Sequence, residues 1–322
     1  MNFNPILIIG GEPKSIFLEI LLKTLRKLKK KNLPIILISS KDLLLKNMKK
    51  FNQNLVFNQL NKNFTNINSK KINLINIKYN KFSFSPKKIT SKSNIYLERS
   101  FKTALKVMKK IKCSGLINGP ISKRTFLKGK YNGITEFLAK KTNSKNPVML
   151  IYNKTLSVSP LTTHIPISKV SKNVKKKDII SKILSINSFY KNVLNIKPKI
   201  AVTGLNPHCE SFSNENKEKT EIIPAINFLK RKRVNVKGPF ASDTIFLREN
   251  TKKFDVVFGM YHDQVLGPIK TLYGFNSINI TLGLPFIRIS PDHGPNVKML
   301  GKNKSDPASL IASINFFQNH GV

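Results

Sequence analysis

The stretch from Asp255 to Gly294, DVVFGMYHDQVLGPIKTLYGFNSINITLGLPFIRISPDHG, decides the fold, because short apolar runs alternate in it with polar groups. Residues 254–260 are apolar and β-branched, as expected of a buried strand, and the motif YHDQ follows them directly. Residues 277–282 alternate between apolar and polar side chains, which predicts a second strand. Ligands collect at such strand ends in open α/β sheets. We therefore expect an anion to be bound near His262 by Lys270, Asn279 and Arg288.

The rest of the chain alternates predicted strands and helices, which is typical of an α/β fold. Ser40 is suited to cap a helix, Ser305-Asp306-Pro307 to cap the last one, and residues 72–77 alternate like an exposed strand. Other strands are predicted at 5–9, 33–38, 115–118, 147–152, 155–161 and 199–203, and other helices at 15–30, 94–111, 178–194 and 217–230. A chain of 322 residues is long enough for about two domains.

The composition is strongly basic, with a formal net charge of +41. Such a charge is typical of proteins that bind nucleic acid or a membrane surface. Here the lysines are spread through the chain among asparagine and isoleucine, and aromatic residues do not interleave with them in a stacking pattern. An A+T-rich coding bias gives the same enrichment, and we favour it over a dedicated nucleic-acid surface. The positive field should still attract an anionic, phosphorylated substrate.

The sequence shows no sign of export or membrane insertion. No window approaches the roughly 18 consecutive apolar residues of a membrane helix, and the first residues lack the regions of a signal peptide. Cys113 and Cys209 show neither CxxC spacing nor the density of a disulfide scaffold. We therefore expect a cytoplasmic enzyme with neither a membrane nor a specific nucleic acid as partner.

Three histidines, His164, His208 and His262, each come at the end of a predicted strand. Imidazole suits zinc and related divalent ions, and three protein ligands with open positions are typical of a catalytic metal site. Their spacing along the chain is not a metal signature by itself. A hydrogen-bonded loop histidine is therefore the alternative at each position.

Several motifs together resemble the 4-hydroxythreonine-4-phosphate dehydrogenases of pyridoxal phosphate biosynthesis. These motifs are YHDQ at 261–264, the following Lys270, NITLGLPFIR at 279–288, the DHG turn at 292–294, NGPISK at 118–123 and GITEFL at 133–138. The resemblance implies an α/β protein of the isocitrate and isopropylmalate dehydrogenase type, with a cleft between two domains. The first domain is expected to comprise residues 1–120 with 286–322, and the second residues 121–285.

The resemblance also implies the residues of the site. In the family, the histidines of the TTHIP, NPH and YHDQ motifs bind a divalent metal, here zinc, magnesium or cobalt, at a site completed across a homodimer. These histidines match His164, His208 and His262. The implied substrate-binding residues are Thr135, Lys270, Asn279 and Arg288, and the implied catalytic residues are Lys270 and Asp243.

Simpler explanations exist for three of these residues. Thr135, followed by Glu136, suits an ordinary helix N-terminus. Asp243 suits a helix N-cap, and Arg288 suits a surface salt bridge contributing about 0–1 kcal/mol. One position in the substrate-binding segment departs from the family: Ile134 stands where a histidine usually contacts the substrate, and isoleucine cannot donate a hydrogen bond.

The implied cofactor is NAD or NADP, although no G-x-G-x-x-G opens a helix, so a Rossmann site is unsupported. Residues 295–302, PNVKMLGK, replace the Thr-Ala and aspartate usual in the family's cofactor segment, so no cofactor contact is assigned. The implied reaction oxidises 4-phosphooxy-L-threonine to 2-amino-3-oxo-4-phosphooxybutanoate, which decarboxylates to 3-amino-2-oxopropyl phosphate. Two alternatives stay open: a dehydrogenase of phosphothreonate or phosphoerythronate, and a basic non-catalytic or nucleic-acid-binding protein.

Overall fold

The computed structural model describes residues 4–28, 34–61, 63–79, 91–122, 126–127, 131, 133–210, 216–274, 276–291 and 294–320. Predictions that involve Lys123, Asp292 and His293 lie outside the described residues. The chain divides into two compact units, Met1–Phe137 with Phe286–Val322, and Leu138–Pro285. The domain limits expected from the sequence differ from these, because they place residues 121–137 in the second domain.

Strands and helices alternate along most of the chain, as an α/β fold requires. The strands are β1 (Ile6–Ile9), β2 (Ile35–Ser39), β3 (Phe57–Gln59), β4 (Ile72–Asn76), β5 (Gly115–Asn118), β6 (Val148–Tyr152), β7 (Ser157–Thr162), β8 (Ile200–Thr203), β9 (Val236–Phe240), β10 (Val256–Tyr261), β11 (Ile278–Leu282) and β12 (Arg288–Ser290). The helices are α1 (Phe17–Lys27), α2 (Lys41–Lys50), α3 (Ser91–Lys110), α4 (Ile134–Lys141), α5 (Val170–Asn173), α6 (Lys176–Val193), α7 (Ile223–Arg231), α8 (Arg248–Thr251), α9 (His262–Tyr273) and α10 (Ala308–His320). The predicted α/β class is confirmed.

The first unit is built on parallel strands in the order β3-β4-β2-β1-β5-β12. The inner strands β1, β2 and β5 are buried along their whole length. Their continuous apolar runs are explained by this position, because a parallel sheet is covered on both faces. Ile9 of β1 pairs with Asn118 of β5, so the carboxyl ends of these two strands lie side by side at one edge.

One strand prediction in this unit is wrong in its exposure. Residues 72–77 were expected to form an exposed strand, but β4 lies between β3 and β2 and its three central residues are buried. The polar Asn73 is tolerated there because its side-chain amide donates to Ile35 O at 3.1 Å and to Asn68 O at 2.9 Å. Buried polar groups that are hydrogen-bonded in this way cost little.

The second unit is built on strands in the order β11-β6-β7-β10-β8-β9. β7, β10, β8 and β9 are parallel, whereas β6 pairs antiparallel with both β7 and β11. The strands predicted at 147–152 and 155–161 are therefore confirmed, as β6 and β7. Its core includes Val158, Ala201, Val257 and Val265, which lie on three neighbouring strands and on α9.

The helix ends show which local signals the sequence carried. Ser40 caps α2, since its Oγ accepts from Leu43 N at 3.4 Å. Asp306 Oδ1 accepts from Ala308 N at 2.9 Å at the start of α10, as predicted. Within the described ranges, no helix combines the length and apolar character needed to span a bilayer.

Candidate functional site

Four parallel strands of the second unit end at one edge, and a candidate site residue follows each of them. The strands β7, β10, β8 and β9 are neighbours in that order, so their carboxyl ends meet at the same edge, where ligands bind in open α/β sheets. The residues that follow them are His164, His262, His208 and Asp243, respectively. The three histidines thus occupy the equivalent positions expected from the sequence.

Two of these histidines are already close together. The ring centroids of His164 and His262 are 6.1 Å apart. His262 Nδ1 lies 2.7 Å from Oδ1 of the exposed Asp263, which leaves Nε2 as the nitrogen that can face a ligand. Carboxylate contacts of this kind fix the tautomer and the ring orientation of metal-binding histidines.

The donor set suits a divalent ion, because imidazole binds zinc, cobalt and related metals. A complete ligand set is not assembled in the described part of the chain, where no three His, Cys, Asp or Glu side chains lie close enough to hold an ion. The three histidines therefore fit a metal ion in two respects: imidazole is a suitable ligand, and all three residues lie at the same edge of the sheet. Their metal binding stays a prediction.

The backbone at two of these histidines lies in an unfavourable region. His164 has φ 45°, and His208 and Cys209 follow one another with φ 54° and 63°. Residues other than glycine are uncommon in the left-handed region, which costs about 1–3 kcal/mol for each such residue. Strain of this kind persists only where the surrounding structure holds it in place, and it clusters at functional sites.

Asp243 is exposed in a turn after β9, at the same edge as His208. The interpretation of Asp243 as a helix N-cap is wrong. The next helix, α8, begins five residues later and its N-cap is Leu247, which makes no side-chain capping bond. The carboxylate of Asp243 is therefore available at this edge for a ligand.

The first unit carries a buried cation whose guanidinium reaches the carboxyl end of β5, at Asn118. Arg288, at the start of β12, has only 1% of its surface exposed, so the surface salt-bridge interpretation is wrong. Its Nε donates to Asn118 Oδ1 at 2.6 Å, and its Nη1 donates to Thr135 Oγ1 at 3.4 Å. Burial lowers the pKa of Arg288 to about 10, an effect opposed by Glu136, so the side chain is a cation at neutral pH. A buried guanidinium suits planar recognition of a carboxylate or phosphate.

Thr135 is the second residue of α4, so its position at a helix N-terminus is confirmed. Its hydroxyl also contacts Arg288, and the two predicted substrate-binding residues of this unit are therefore brought together. Ile134, the first residue of the same helix, is 9% exposed and packs as an apolar residue. The hydrogen bond that the family histidine would donate from this position is absent, because isoleucine has no donor.

Lys270 and Asn279 belong to the second unit, on α9 and β11. Lys270 Nζ is shielded from solvent, and burial lowers its pKa. Asn279 Oδ1 is also shielded and has no hydrogen-bond partner among the described residues. A buried polar atom without a partner is costly, and an atom of this kind on a strand is suited to receive a donor from a ligand.

Sequence reasoning assigned no individual role to three residues that make hydrogen bonds to or near the candidate site residues. Asn118 is the last residue of β5, and its strand-end position was a usable signal. Gln264 stands in the YHDQ motif but was not assigned a role. Glu218 gave no signal, because it lies inside a segment predicted only as a helix.

The segment implied to contact the nicotinamide cofactor, residues 295–302, lies wholly within the described residues. Pro295 O accepts from Ile16 N at 3.1 Å, just before α1. Residues Val297–Met299 form a 3₁₀ turn. These contacts fix the path of the segment in the first unit and assign no residue to the cofactor.

Comparison with known proteins gives one consistent family. The chain matches the family described as pyridoxal phosphate biosynthetic protein PdxA over residues 30–317. The 4-hydroxythreonine-4-phosphate dehydrogenase of Sulfurihydrogenibium sp. is 39% identical over 311 residues, which cover 94% of each chain. A crystal structure of a 4-hydroxythreonine-4-phosphate dehydrogenase from Klebsiella pneumoniae matches 99% of this chain and 100% of that chain, with a TM-score of 0.83 and 26% identity.

A structure of a putative 4-hydroxythreonine-4-phosphate dehydrogenase from Salmonella typhimurium matches 98% of this chain and 99% of that chain, with a TM-score of 0.85 and 28% identity. Sequence and fold therefore agree over nearly the whole chain. The motifs, the strand-end histidines and these matches together show that the chain belongs to the PdxA family of pyridoxal phosphate biosynthetic proteins.

Proposed function

We propose that this chain is a 4-hydroxythreonine-4-phosphate dehydrogenase of pyridoxal phosphate biosynthesis, which oxidises 4-phosphooxy-L-threonine. The observation that carries the proposal is the retention of three histidines after three adjacent parallel strands, in a chain 39% identical to such a dehydrogenase over 94% of its length. A dehydrogenase of this family uses a nicotinamide cofactor and a phosphorylated substrate. The non-catalytic alternative has no comparable support.

His164, His208 and His262 would hold one divalent ion, with zinc, magnesium and cobalt as candidates. When bound, such an ion acts as a Lewis acid that stabilises negative charge on an oxygen of the substrate. The protein's own contribution is to place three imidazoles at one edge and to orient at least one of them. Asp263 does this for His262 by occupying Nδ1.

The substrate's anionic groups are assigned to the buried cations. Arg288 and Thr135 already share a hydrogen bond and would bind the phosphate or carboxylate together. Lys270 would hold an anionic group as a shielded ammonium, and Asn279 would accept a hydrogen bond at its unpartnered Oδ1. Fixed groups of this kind bind and orient a charged substrate without reorganising during the reaction.

The reaction balances as a hydride transfer followed by loss of carbon dioxide. A bound nicotinamide cofactor would supply the oxidising power: the hydride would leave C3 of the substrate for it, and the hydroxyl on C3 would lose its proton, which leaves a ketone. The C3 ketone is β to the carboxylate, so the bond from C2 to the carboxyl carbon breaks and its electron pair passes into an enolate. Protonation of that enolate gives 3-amino-2-oxopropyl phosphate. Asp243 is the candidate to orient the substrate or a water molecule, and Lys270 the candidate to offset the negative charge.

A related phosphosugar acid is the second candidate substrate, and one observation favours it. Ile134 is buried and apolar where the family usually has a hydrogen-bonding histidine. A site that lacks one donor discriminates less strongly between substrates that differ in polar groups. Phosphothreonate and phosphoerythronate retain the phosphate and hydroxyl groups that the remaining residues would bind.

We also propose a homodimer as the active form, because the described part of one chain does not assemble a complete ligand set. Sedimentation with activity measurement tests this proposal, and a fully active monomer would contradict it.

The function itself is tested by spectroscopic assay of NAD and NADP reduction with 4-phosphooxy-L-threonine, phosphothreonate and phosphoerythronate. We expect the first to give the highest kcat/KM and a chelator to abolish turnover. A preference for a sugar acid would reassign the substrate, and turnover unaffected by chelation would remove the metal.

A further inference from the structure

A buried carboxylate lies beneath the loop that carries His208. Glu218 is only 1% exposed and begins the π-helical turn Glu218–Ile222 that leads into α7. Its Oε1 accepts from the backbone N–H groups of Leu205 and Asn206, both at 2.8 Å. Its Oε2 accepts from Asn206 Nδ2 at 2.9 Å. These bonds fix the two residues that precede Pro207-His208.

The loop held in this way has a strained backbone. His208 and Cys209 both have positive φ values, of 54° and 63°. Within the loop itself, Cys209 N donates to Asn206 O at 3.1 Å, and Glu210 N donates to Pro207 O at 3.2 Å. Consecutive residues in this region persist only when neighbouring structure holds them there. Hydrogen bonds to a carboxylate, such as those that Glu218 accepts, are about twice as strong as hydrogen bonds between neutral groups.

The start of the same loop is tied to the strand that carries His262. Gln264 Oε1 accepts from Met260 N at 2.7 Å and from Thr203 Oγ1 at 2.9 Å. Gln264 Nε2 donates to Gly204 O at 2.8 Å. The side chain is buried and its three bonds join the end of β10 to the end of β8. The spacing between these two strand ends is therefore set by a side chain as well as by the sheet.

We propose that Glu218 is a positioning residue for the metal site: its carboxylate holds the His208 loop in the strained conformation that presents the imidazole at the sheet edge. The inference rests on the proposed function, because it takes His208 to be a metal ligand. Gln264 anchors the start of the same loop, at Gly204. Without Glu218, residues 208 and 209 can relax to negative φ values, and His208 leaves the position it shares with His164 and His262.

A purely structural role is the competing explanation, and the chain offers a matched control for it. Glu221 lies in the same π-helical turn and also accepts from a backbone N–H, that of Lys176 at 2.6 Å. It makes an ion pair with Lys175 at 3.9 Å as well. Its bonds reach the start of α6 rather than the His208 loop. Glu221→Ala therefore removes a comparable anchor of the turn without touching the loop.

The experiment titrates the metal-free, full-length protein with zinc by calorimetry and records the melting temperature of each variant. Glu218→Ala should weaken zinc binding by about tenfold to a hundredfold, the range found when the outer partner of a metal ligand is removed. Its kcat/KM should recover when zinc is raised to saturation. Glu218→Gln should stay within about threefold of the wild type, because Oε1 still accepts both backbone bonds and Asn206 can turn its amide. Glu221→Ala should bind zinc like the wild type.

Equal zinc affinity in the wild type and Glu218→Ala would overturn the inference, and so would equal weakening by Glu221→Ala. If Glu218→Ala does not fold, Asn206→Ala removes the Oε2 bond alone. It should then weaken zinc binding by at least about twofold, and unchanged binding would overturn the inference. A wild-type protein that binds no zinc, magnesium or cobalt would instead show that the proposed metal site is wrong.

Discussion

The two sheet edges differ in how far their functional groups are assembled. In the first unit, Arg288 is buried and already hydrogen-bonded to Asn118 and Thr135. In the second unit, His164 and His208 are exposed, both have positive φ values, and no three ligands converge within the described residues. We call the first the finished edge, because its guanidinium is buried and hydrogen-bonded, and the second the open edge, because the described residues do not bring its candidate ligands together.

The difference follows from the chemistry of the groups. A buried guanidinium must be compensated by hydrogen bonds throughout the life of the folded protein, so its partners are built in. The side chains of His164 and His208 are exposed, so water can hydrate their ring nitrogens and the fold does not have to supply buried partners for them. At the second edge, the buried side chains of Gln264 and Glu218 therefore bond to the backbone near the histidines.

The largest effect should come from removing a ligand at the open edge. His208→Ala should lower kcat/KM by about a thousandfold, a loss of about 4 kcal/mol of transition-state stabilisation. The melting temperature of the metal-free protein should change little, because the side chain is exposed. Metal content by elemental analysis should fall with activity. His320→Ala, at the end of α10, is the control and should keep both. Full metal content and activity in His208→Ala would remove this residue from the site.

The second-largest effect is a difference between the two units in how much bound metal stabilises them. Zinc at about 100 times its dissociation constant should stabilise the protein by about 2.7 kcal/mol. Hydrogen exchange should show the added protection in the second unit, at the segments after β7, β8 and β10, and little change around Arg288. Protection spread evenly over both units, or confined to the first, would contradict the contrast between a finished and an open edge.

The third effect concerns the finished edge. Arg288→Lys should weaken kcat/KM by more than tenfold, above about 1.4 kcal/mol, because lysine cannot copy the two-pronged contact of the guanidinium. It also leaves Asn118 Oδ1 with a less suitable donor. Arg99→Lys, on the exposed side of α3, is the matched control and should be neutral. Unchanged kinetics with an unchanged melting temperature would exclude Arg288 from substrate binding.

The sequence predicted the elements of both units well where a strand is buried on both faces. The apolar runs at β1, β5 and β8 gave their positions to within a residue or two, because such runs are typical of parallel strands. The helix α9 was missed, since Gly267 and Pro268 suggest a chain break. Pro268 lies inside this helix nevertheless, and the burial of Val265 and Ile269 stabilises it there.

The candidate residues could be named from motifs, but their supports could not. Asn118 and Arg288 are separated by 170 positions, and Glu218 reaches back 12 and 13 positions to Asn206 and Leu205. Contacts of this kind depend on the completed fold and leave no local pattern. The same limit explains why the surface interpretation of Arg288 was wrong. A single arginine between apolar residues is expected to be exposed until the sheet that buries it is known.

The smallest effect concerns the stability of the protein in acid. It tests whether buried carboxylates of the first unit determine how that stability depends on pH. Glu12 and Glu19 are both 1% exposed, yet their pKa values shift in opposite directions. Burial raises the pKa of Glu12, and this effect exceeds the opposing influence of the nearby Ser93 hydroxyl and of Lys14. Burial also acts to raise the pKa of Glu19, but bonds from Ser305 and Lys23 outweigh it, so this pKa is lowered. The two carboxylates should therefore give opposite pH dependence.

For Glu19, the folded pKa lies below the ordinary value of 4.5, so its stabilisation is present above that pH and is lost as the pH falls through the folded pKa. For Glu12, the folded pKa lies above 4.5, so stability falls as the pH rises from 4.5 through the folded pKa. Glu19→Gln should thus cost about 1 kcal/mol at neutral pH and less below pH 4.5. Glu12→Gln should raise stability at neutral pH and change it least in acid. Denaturant unfolding from pH 3 to 7 measures both slopes. Parallel slopes for the two variants would show that the bonds from Ser305 and Lys23 do not govern Glu19, and that the hydrogen bonding of this unit does not determine its acid stability.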